Sequence, residues 1–167
     1  MDQLVSRLRQ IEPGDLPSLL ALNNAHSAEL GLVDEGKLAR LLAVSALALA
    51  IGPAGELEAV LLAFVQDAPP QGPNHAWFLA RHQRFLYVDR VCVDPRARKR
   101  GLARELYAQV FAAARSRAAP VVCCEVNTDP PNPGSDAFHH ALGFTEVGRA
   151  FLADRGKSVR YLERKVD

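Results

Sequence analysis

The chain has 167 residues, 49% apolar and 23% charged, with twenty basic and nineteen acidic side chains and a net charge of +1. This length suits one domain that buries about two-thirds of its unfolded surface, so neither a disulfide nor a metal is required for folding. The charge balance excludes a general nucleic-acid binder, which carries a clear basic excess.

Met1–Arg7 carries charges where a secretory signal needs its apolar core, and the longest apolar run, Leu41–Ile51, includes Ser45 and spans eleven residues, too few to cross a bilayer. The expectation is a cytoplasmic protein without a membrane partner. Cys92, Cys123 and Cys124 are then reduced, and as an odd set without metal-ligand spacing they read as buried, inert thiols. No metal is expected.

Val5–Ile11 alternates as a first strand. Pro13-Gly14-Asp15 turns the chain into a helix carrying Leu16, Leu19, Leu20 and Asn23 to about Glu29. Asp34 caps a second helix marked by Leu38, Leu41 and Leu42. Ser45–Ile51 and Leu57–Gln66 form a hairpin across Gly52-Pro53-Ala54-Gly55. A Pro/Gly-rich loop, Ala68–Pro73, runs on into Trp77 and Phe78, which read as loop residues that lid or pack it. Phe85–Val93 is a strand, Arg100 to about Arg117 a helix, Val121–Val126 a strand, and Ser135–Leu142 a short helix. Glu146–Leu152 and Val159–Val166 close the fold as strands around Asp154–Lys157. The order β-α-α-β-β-β-α-β-α-β-β specifies an α/β (α+β) fold, a single domain over residues 1–167 with a mixed central sheet of about seven strands flanked by helices.

The segment Val91-Cys92-Val93-Asp94-Pro95-Arg96-Ala97-Arg98-Lys99-Arg100-Gly101-Leu102-Ala103-Arg104 joins an apolar strand to an amphipathic helix through a basic, glycine-containing turn. The first turn of a helix offers unpaired N–H groups and the positive end of the macrodipole. Helices favour acids there, so crowding Arg96, Arg98, Lys99, Arg100 and Arg104 at that end conflicts with local preference. A bound diphosphate resolves the conflict; a solvated basic face is the other reading.

Arg98-Lys99-Arg100-Gly101-Leu102-Ala103 resembles the Gln/Arg-x-x-Gly-x-Gly/Ala signature of GNAT acetyltransferases, with Val93-Asp94-Pro95 in place of that family's Val-x-Pro lead-in. The resemblance implies that the N–H groups of this turn hold the coenzyme A pyrophosphate and that Val91, Cys92 and Val93 pair with pantetheine through their main chain. A second segment, Asn132-Pro133-Gly134-Ser135-Asp136-Ala137-Phe138-His139-His140-Ala141-Leu142-Gly143-Phe144, is similar to the family's Asn-x-x-Ala-x-x-Phe-Tyr-x-x-Leu-Gly-Phe. It assigns Asn132, Ser135 and Phe138 to the coenzyme side of the site. The family's Tyr is His139 here, a departure that leaves two roles open. His139 either protonates the departing thiolate in place of the phenol or only packs. Asn127, Asp129 and Asn132, in a proline-rich stretch before the helix, cap it or face substrate.

Attack by an amine requires a base. Glu125, in the otherwise apolar strand Val121–Val126, is the first candidate, since partial burial favours proton uptake by a carboxylate. A strand-end Glu in water is the bland alternative. Asp89 is the second candidate, with Arg90 expected on the opposite face and Tyr87 able to position a water. His26, Asn23 and Asn24 lie near the region that walls the acceptor pocket in GNAT enzymes, although core packing also accounts for them. The resemblance implies acetyl transfer from acetyl-CoA to a primary amine, either a small molecule or a peptide N-terminus, by direct attack. A non-catalytic acyl-CoA sensor is the alternative, and a cysteine acyl-enzyme on Cys92 or Cys123 is a more distant one. Homodimerisation through a sheet edge is compatible with such a fold.

Overall fold

The computed structural model describes residues 7–167. Its strands are β1 (Leu8–Gln10), β2 (Leu47–Ile51), β3 (Ala59–Val65), β4 (Leu86–Val93), β5 (Val121–Asp129), β6 (Thr145–Leu152) and β7 (Lys157–Lys165). Its helices are α1 (Leu16–Ala25), α2 (Ser27–Leu30), α3 (Glu35–Val44), α4 (Pro73–Arg81), α5 (Leu102–Ser116) and α6 (Pro133–Ala141). The strands form a seven-stranded sheet in the order β1-β2-β3-β4-β5-β7-β6. The mixed sheet and the strand order agree with the expectation from sequence, with one added helix, α4, and the expected first helix divided into α1 and α2. The first two residues of the expected strand Val5–Ile11 lie outside the described residues.

Two compact units divide the chain, one made from Met1–Phe64 and Asp89–Val110, the other from Val65–Val88 and Phe111–Asp167. In the first unit β1, β2 and β3 form an antiparallel meander, with Ala50 opposite Val60. Every residue from Ala59 to Phe64 is fully buried, and Leu19, Leu38, Leu41 and Leu106 complete the core. Asp34 caps α3 as expected, accepting the Lys37 N–H at 2.7 Å. The first helix does not run on to Glu29; it ends at Ala25, and His26, at φ −110° and ψ 29°, separates it from α2. Two asparagines hold the chain that follows. Asn23 Nδ2 donates to the Gly31 carbonyl, while Asn24 accepts from the Val33 N–H and donates to the Val33 carbonyl, each at 3.1 Å.

In the second unit β5 pairs in parallel with Leu86 and Tyr87 of β4 and antiparallel with β7. β5 runs three residues beyond its expected end, to Asp129, past a register shift between Asn127 and Asp129. Trp77 and Phe78 belong to a helix, α4, and not to a loop. Three prolines and polar Asn74 and His75 mask its short periodicity in the sequence. Pro73 sits at N1, where its missing N–H costs nothing. Phe78 is fully buried, and Trp77 stacks on Tyr161 of β7 at 4.3 Å. Gly148 of β6 permits this stack, because a Cβ there would lie 2.6 Å from the Trp77 ring. Arg81 and His82, at the end of α4, both bind Glu163 of β7, Arg81 at 2.8 Å. Asn132 takes the capping role at α6, accepting the Ser135 N–H at 3.3 Å.

One ion pair fastens the start of the first unit. The side chain of Asp15 is fully buried and receives both terminal nitrogens of Arg9, at 2.7 and 2.8 Å, and the Glu12 N–H at 2.8 Å. Arg9 Nε also donates to the Gly52 carbonyl in the β2–β3 connection. The Arg9 guanidinium holds the Asp15 carboxyl below its usual range, against the opposing effect of burial. A carboxyl depressed in the fold stabilises above its unfolded pKa of about 3.9 and loses that contribution as pH falls through the folded value. Asp15→Asn is expected to lose about 2 kcal/mol at pH 7, less than the roughly 3–5 kcal/mol of a fully buried pair, because Arg9 keeps 28% exposure. Urea titrations from pH 7 to 3 will check this: the difference from wild type shrinks as the pH drops below about 4.

Candidate functional site

The basic turn lies wholly in the first unit. β4 delivers Val91 and Val93 half-buried and Cys92 buried, then Asp94 stops the strand. Asp94 accepts the Arg96 N–H at 2.8 Å and pairs with the Arg96 guanidinium at 3.0 Å, which holds its carboxyl down at about 2. Arg96 is therefore spent on the turn itself. Arg100 is spent as well, on Glu58 at 3.2 Å, and Glu58 also binds Arg7. The sequence suggested five uncompensated cations. Among the described residues the fold leaves three without an acidic partner, Arg98, Lys99 and Arg104, all exposed.

The backbone of the turn is unusual. Lys99 has φ 63° and Gly101 φ 74°, with Arg100 between them at negative φ. This alternation of hand turns successive N–H groups toward one side, the arrangement called a nest, which attracts anions. It leads directly into α5, whose first N–H groups have no intrahelical acceptor. A Cβ built on Gly101 would meet nothing within 4 Å, so the approach to these N–H groups is open. Lys99 holds a left-handed backbone that costs a non-glycine residue about 1 kcal/mol. These residues fit a diphosphate, with Arg98, Lys99 and Arg104 to balance its charge.

Asp89 also belongs to the first unit, and here the expectation from sequence fails. Alternation does not keep Arg90 from Asp89: its Nε donates to Asp89 Oδ2 at 2.7 Å, and its Nη1 donates to Asn23 at 2.6 Å. The long guanidinium stem reaches back around the strand, so the charge of Asp89 is already matched. Asn23, Arg90 and Asp89 form a buried chain between α1 and β4, and Asn23 and Asn24 are engaged in structure.

Glu125 on β5 and Asn132, Ser135, Phe138 and His139 at α6 all belong to the second unit, where the α6 residues contact one another and Glu125 has a separate partner. Glu125 is half-buried on β5, and its Oε2 accepts the Tyr87 hydroxyl at 2.6 Å. Sequence reasoning gave Tyr87 a water to hold on the side of Asp89. The recognisable clue to its true partner was a polar-tipped aromatic and a carboxylate in adjacent strands, but the two are 38 residues apart. His139 is 3% exposed on α6, edge-to-face with Phe138 and Phe144. Its Nδ1 lies 2.8 Å from the Ser135 carbonyl. A carbonyl only accepts, so Nδ1 carries the proton. Burial lowers the His139 pKa, which leaves the ring neutral at pH 7 and Nε2 without a proton. His140 is exposed, as expected. Cys123 is fully buried and its thiol is pushed well up by burial, which removes the thiolate that a cysteine acyl-enzyme needs. Among the described residues no group of three or more His, Cys, Asp or Glu is placed to hold a metal, and no helix is long and apolar enough to cross a membrane.

The model of the acetyltransferase (GNAT) family matches residues 51–144, more than half of the chain, and takes in both the basic turn and α6. The chain belongs to the GNAT family. No curated protein sequence matches it. Its fold is that of solved acetyltransferases. Ard1 from Thermoplasma volcanium superposes with a TM-score of 0.75 at 17% identity, over 98% of this chain and 99% of that one. Ribosomal-protein-alanine N-acetyltransferase from Brucella melitensis gives 0.70 at 22% identity, over 95% and 99%. YncA from Salmonella typhimurium, solved with its cofactor acetyl-CoA, gives 0.66 at 18%, over 97% and 94%.

The tautomer of this GNAT protein's His139 is directly measurable. Long-range proton–nitrogen spectra at pH 7 are expected to give the Nδ1–H pattern for His139, and the ring is expected to remain neutral when the pH is lowered past 6.5, the ordinary histidine value.

Proposed function

We propose that the protein is an acetyl-CoA-dependent N-acetyltransferase acting on a primary amine, with residues 1–167 as one catalytic domain to which β4 contributes in both units. The observation that carries this reading is the Lys99–Gly101 nest at the head of α5, with open space over Gly101 and three uncompensated cations around it. In this reading the N–H groups of Gly101, Leu102, Ala103 and Arg104 hold the diphosphate of the donor, and Arg98 and Lys99 screen it. Arg100 positions the turn through Glu58 without contacting phosphate. The main chain of Val91, Cys92 and Val93 takes the pantetheine arm, and Asn132, Ser135 and Phe138 shape the α6 side.

Glu125 is the general base. It accepts a proton from the ammonium form of the acceptor, which frees the lone pair that attacks the thioester. Asp89 does not share this task, because its charge is matched by Arg90. His139 packs, and the departing thiolate takes its proton from water. The acceptor is a small amine or a peptide N-terminus. The name of the Brucella structure supports the second of these, and the balanced surface charge supports neither DNA nor polycationic substrates.

A second reading, an acyl-CoA-binding module without turnover, draws on His139 standing where the family has its Tyr.

Titration calorimetry with acetyl-CoA separates these readings from failure. Wild type is expected to bind, and Gly101→Glu to lose about 100-fold or more in affinity, since its carboxylate projects into the diphosphate position. Absence of binding by wild type would overturn both readings. An amine and peptide screen then decides turnover. Glu125→Gln is expected to lower kcat by about 10²–10⁴-fold, and His139→Ala to lower it by less than about tenfold. Coenzyme binding without turnover on any acceptor would leave the module.

A further inference from the structure

We propose that Tyr87 is the positioning residue for Glu125, and that α4 acts on the reaction by clamping the Tyr87 ring. This rests on Glu125 being the base. Tyr87 is 1% exposed. His75 of α4 stacks on its ring at 5.3 Å and 15°, and Phe78 of the same helix packs against it at 5.6 Å. His75 is itself fixed, accepting the Gln71 N–H at 3.1 Å. The ring therefore has one orientation, and its hydroxyl reaches Glu125 Oε2 at 2.6 Å, a length expected for a donor facing a charged carboxylate.

Two further groups of this unit lie beside Glu125, Tyr161 and Cys123. Tyr161 lies directly opposite on β7, but its hydroxyl donates to Asn74 of α4 at 2.9 Å and so turns away. Burial, and after it the nearby Glu125, raises the Tyr161 pKa, with Arg155 opposing. Cys123, the next residue on the same face of β5, is a neutral thiol. Tyr87 is thus a donor that fixes the carboxylate in one rotamer. A carboxylate accepts about four hydrogen bonds, and in this reading it takes a proton from the incoming ammonium. A fixed carboxylate accepts that proton without first being ordered.

The test uses Tyr87→Phe, which keeps the ring and its stacking and deletes only the oxygen. A hydrogen bond to the charged form lowers a carboxyl pKa, so its loss raises it. Carbon-13 titration of labelled glutamate is expected to move the Glu125 carboxyl up by about one pH unit in Tyr87→Phe. The acidic limb of kcat/KM is expected to rise with it, with kcat reduced about tenfold or more on the plateau and coenzyme affinity unchanged. A merely structural role would lower kcat without moving the limb. If the Glu125 titration and the limb both stay at their wild-type positions, Tyr87 does not position the base and the inference is overturned. The reading beneath it fails separately: Glu125→Gln with wild-type rate and limb removes Glu125 as base, whatever Tyr87→Phe shows. His75→Ala, which unclamps the ring but keeps the hydroxyl, is expected to reproduce part of the loss in kcat.

Discussion

Parallel pairing of β4 with β5 is the constraint from which the placement of the basic turn follows. Parallel neighbours cannot be joined by a tight turn; the chain must return along the sheet through a crossover, here α5. A crossover helix necessarily begins just beyond the carboxyl end of the strand it leaves. Its unpaired N–H groups therefore lie where ligands bind in sheets of this kind. Specific residues then sharpen what topology provides. Asp94 ends the strand by capturing the Arg96 N–H, Lys99 and Gly101 set the alternating backbone, and Arg100 is drawn to Glu58.

The two carboxylates proposed from sequence are separated by the chemistry of their partners. Asp89 meets a guanidinium, a permanent charge that matches its own and is anchored in turn by buried Asn23. Removing a proton from an acceptor would there mean breaking a buried ion pair, which costs several kcal/mol. Glu125 meets a phenol, which fixes geometry and favours the anion but brings no countercharge. The pair that looked equivalent in one dimension is therefore inequivalent in three.

What was legible in the sequence was local. The caps Asp34 and Asn132, the Gly52–Gly55 hairpin, the strand-to-basic-turn-to-helix unit and the Leu142-Gly143-Phe144 ending all depend on neighbours within a few residues, and all stand in the structure. What was hidden involved partners distant in the chain. Glu58 neutralises Arg100 across 42 residues, Tyr87 reaches Glu125 across 38, and Asn23 holds Arg90 across 67. α4 was hidden for another reason. It is nine residues long, opens on a proline, and gains its stability from Trp77 on Tyr161 and from Arg81 and His82 on Glu163, none of which periodicity reports. The reach of Arg90 back to Asp89 escaped the alternation rule because that rule governs Cβ directions, not the tips of long side chains.

The loss of the family's Tyr at His139 is tolerable on energetic grounds. A thiol has a pKa near 8.5, so its anion is a competent leaving group in neutral water and gains little from a positioned acid. The acceptor is the harder problem. A lysine-like ammonium holds its proton to about pH 10.4 and an α-ammonium to about 7.7–8.0, and neither attacks until the proton is gone. In the proposed reaction, demand on the protein therefore falls on the base and its orientation, and only weakly on the acid. The side chains are distributed accordingly. The only proton on the neutral His139 ring is committed to Ser135 within its own helix, while Glu125 receives a hydrogen bond from a tyrosine that the stacked ring of His75 and the side chain of Phe78 hold in place.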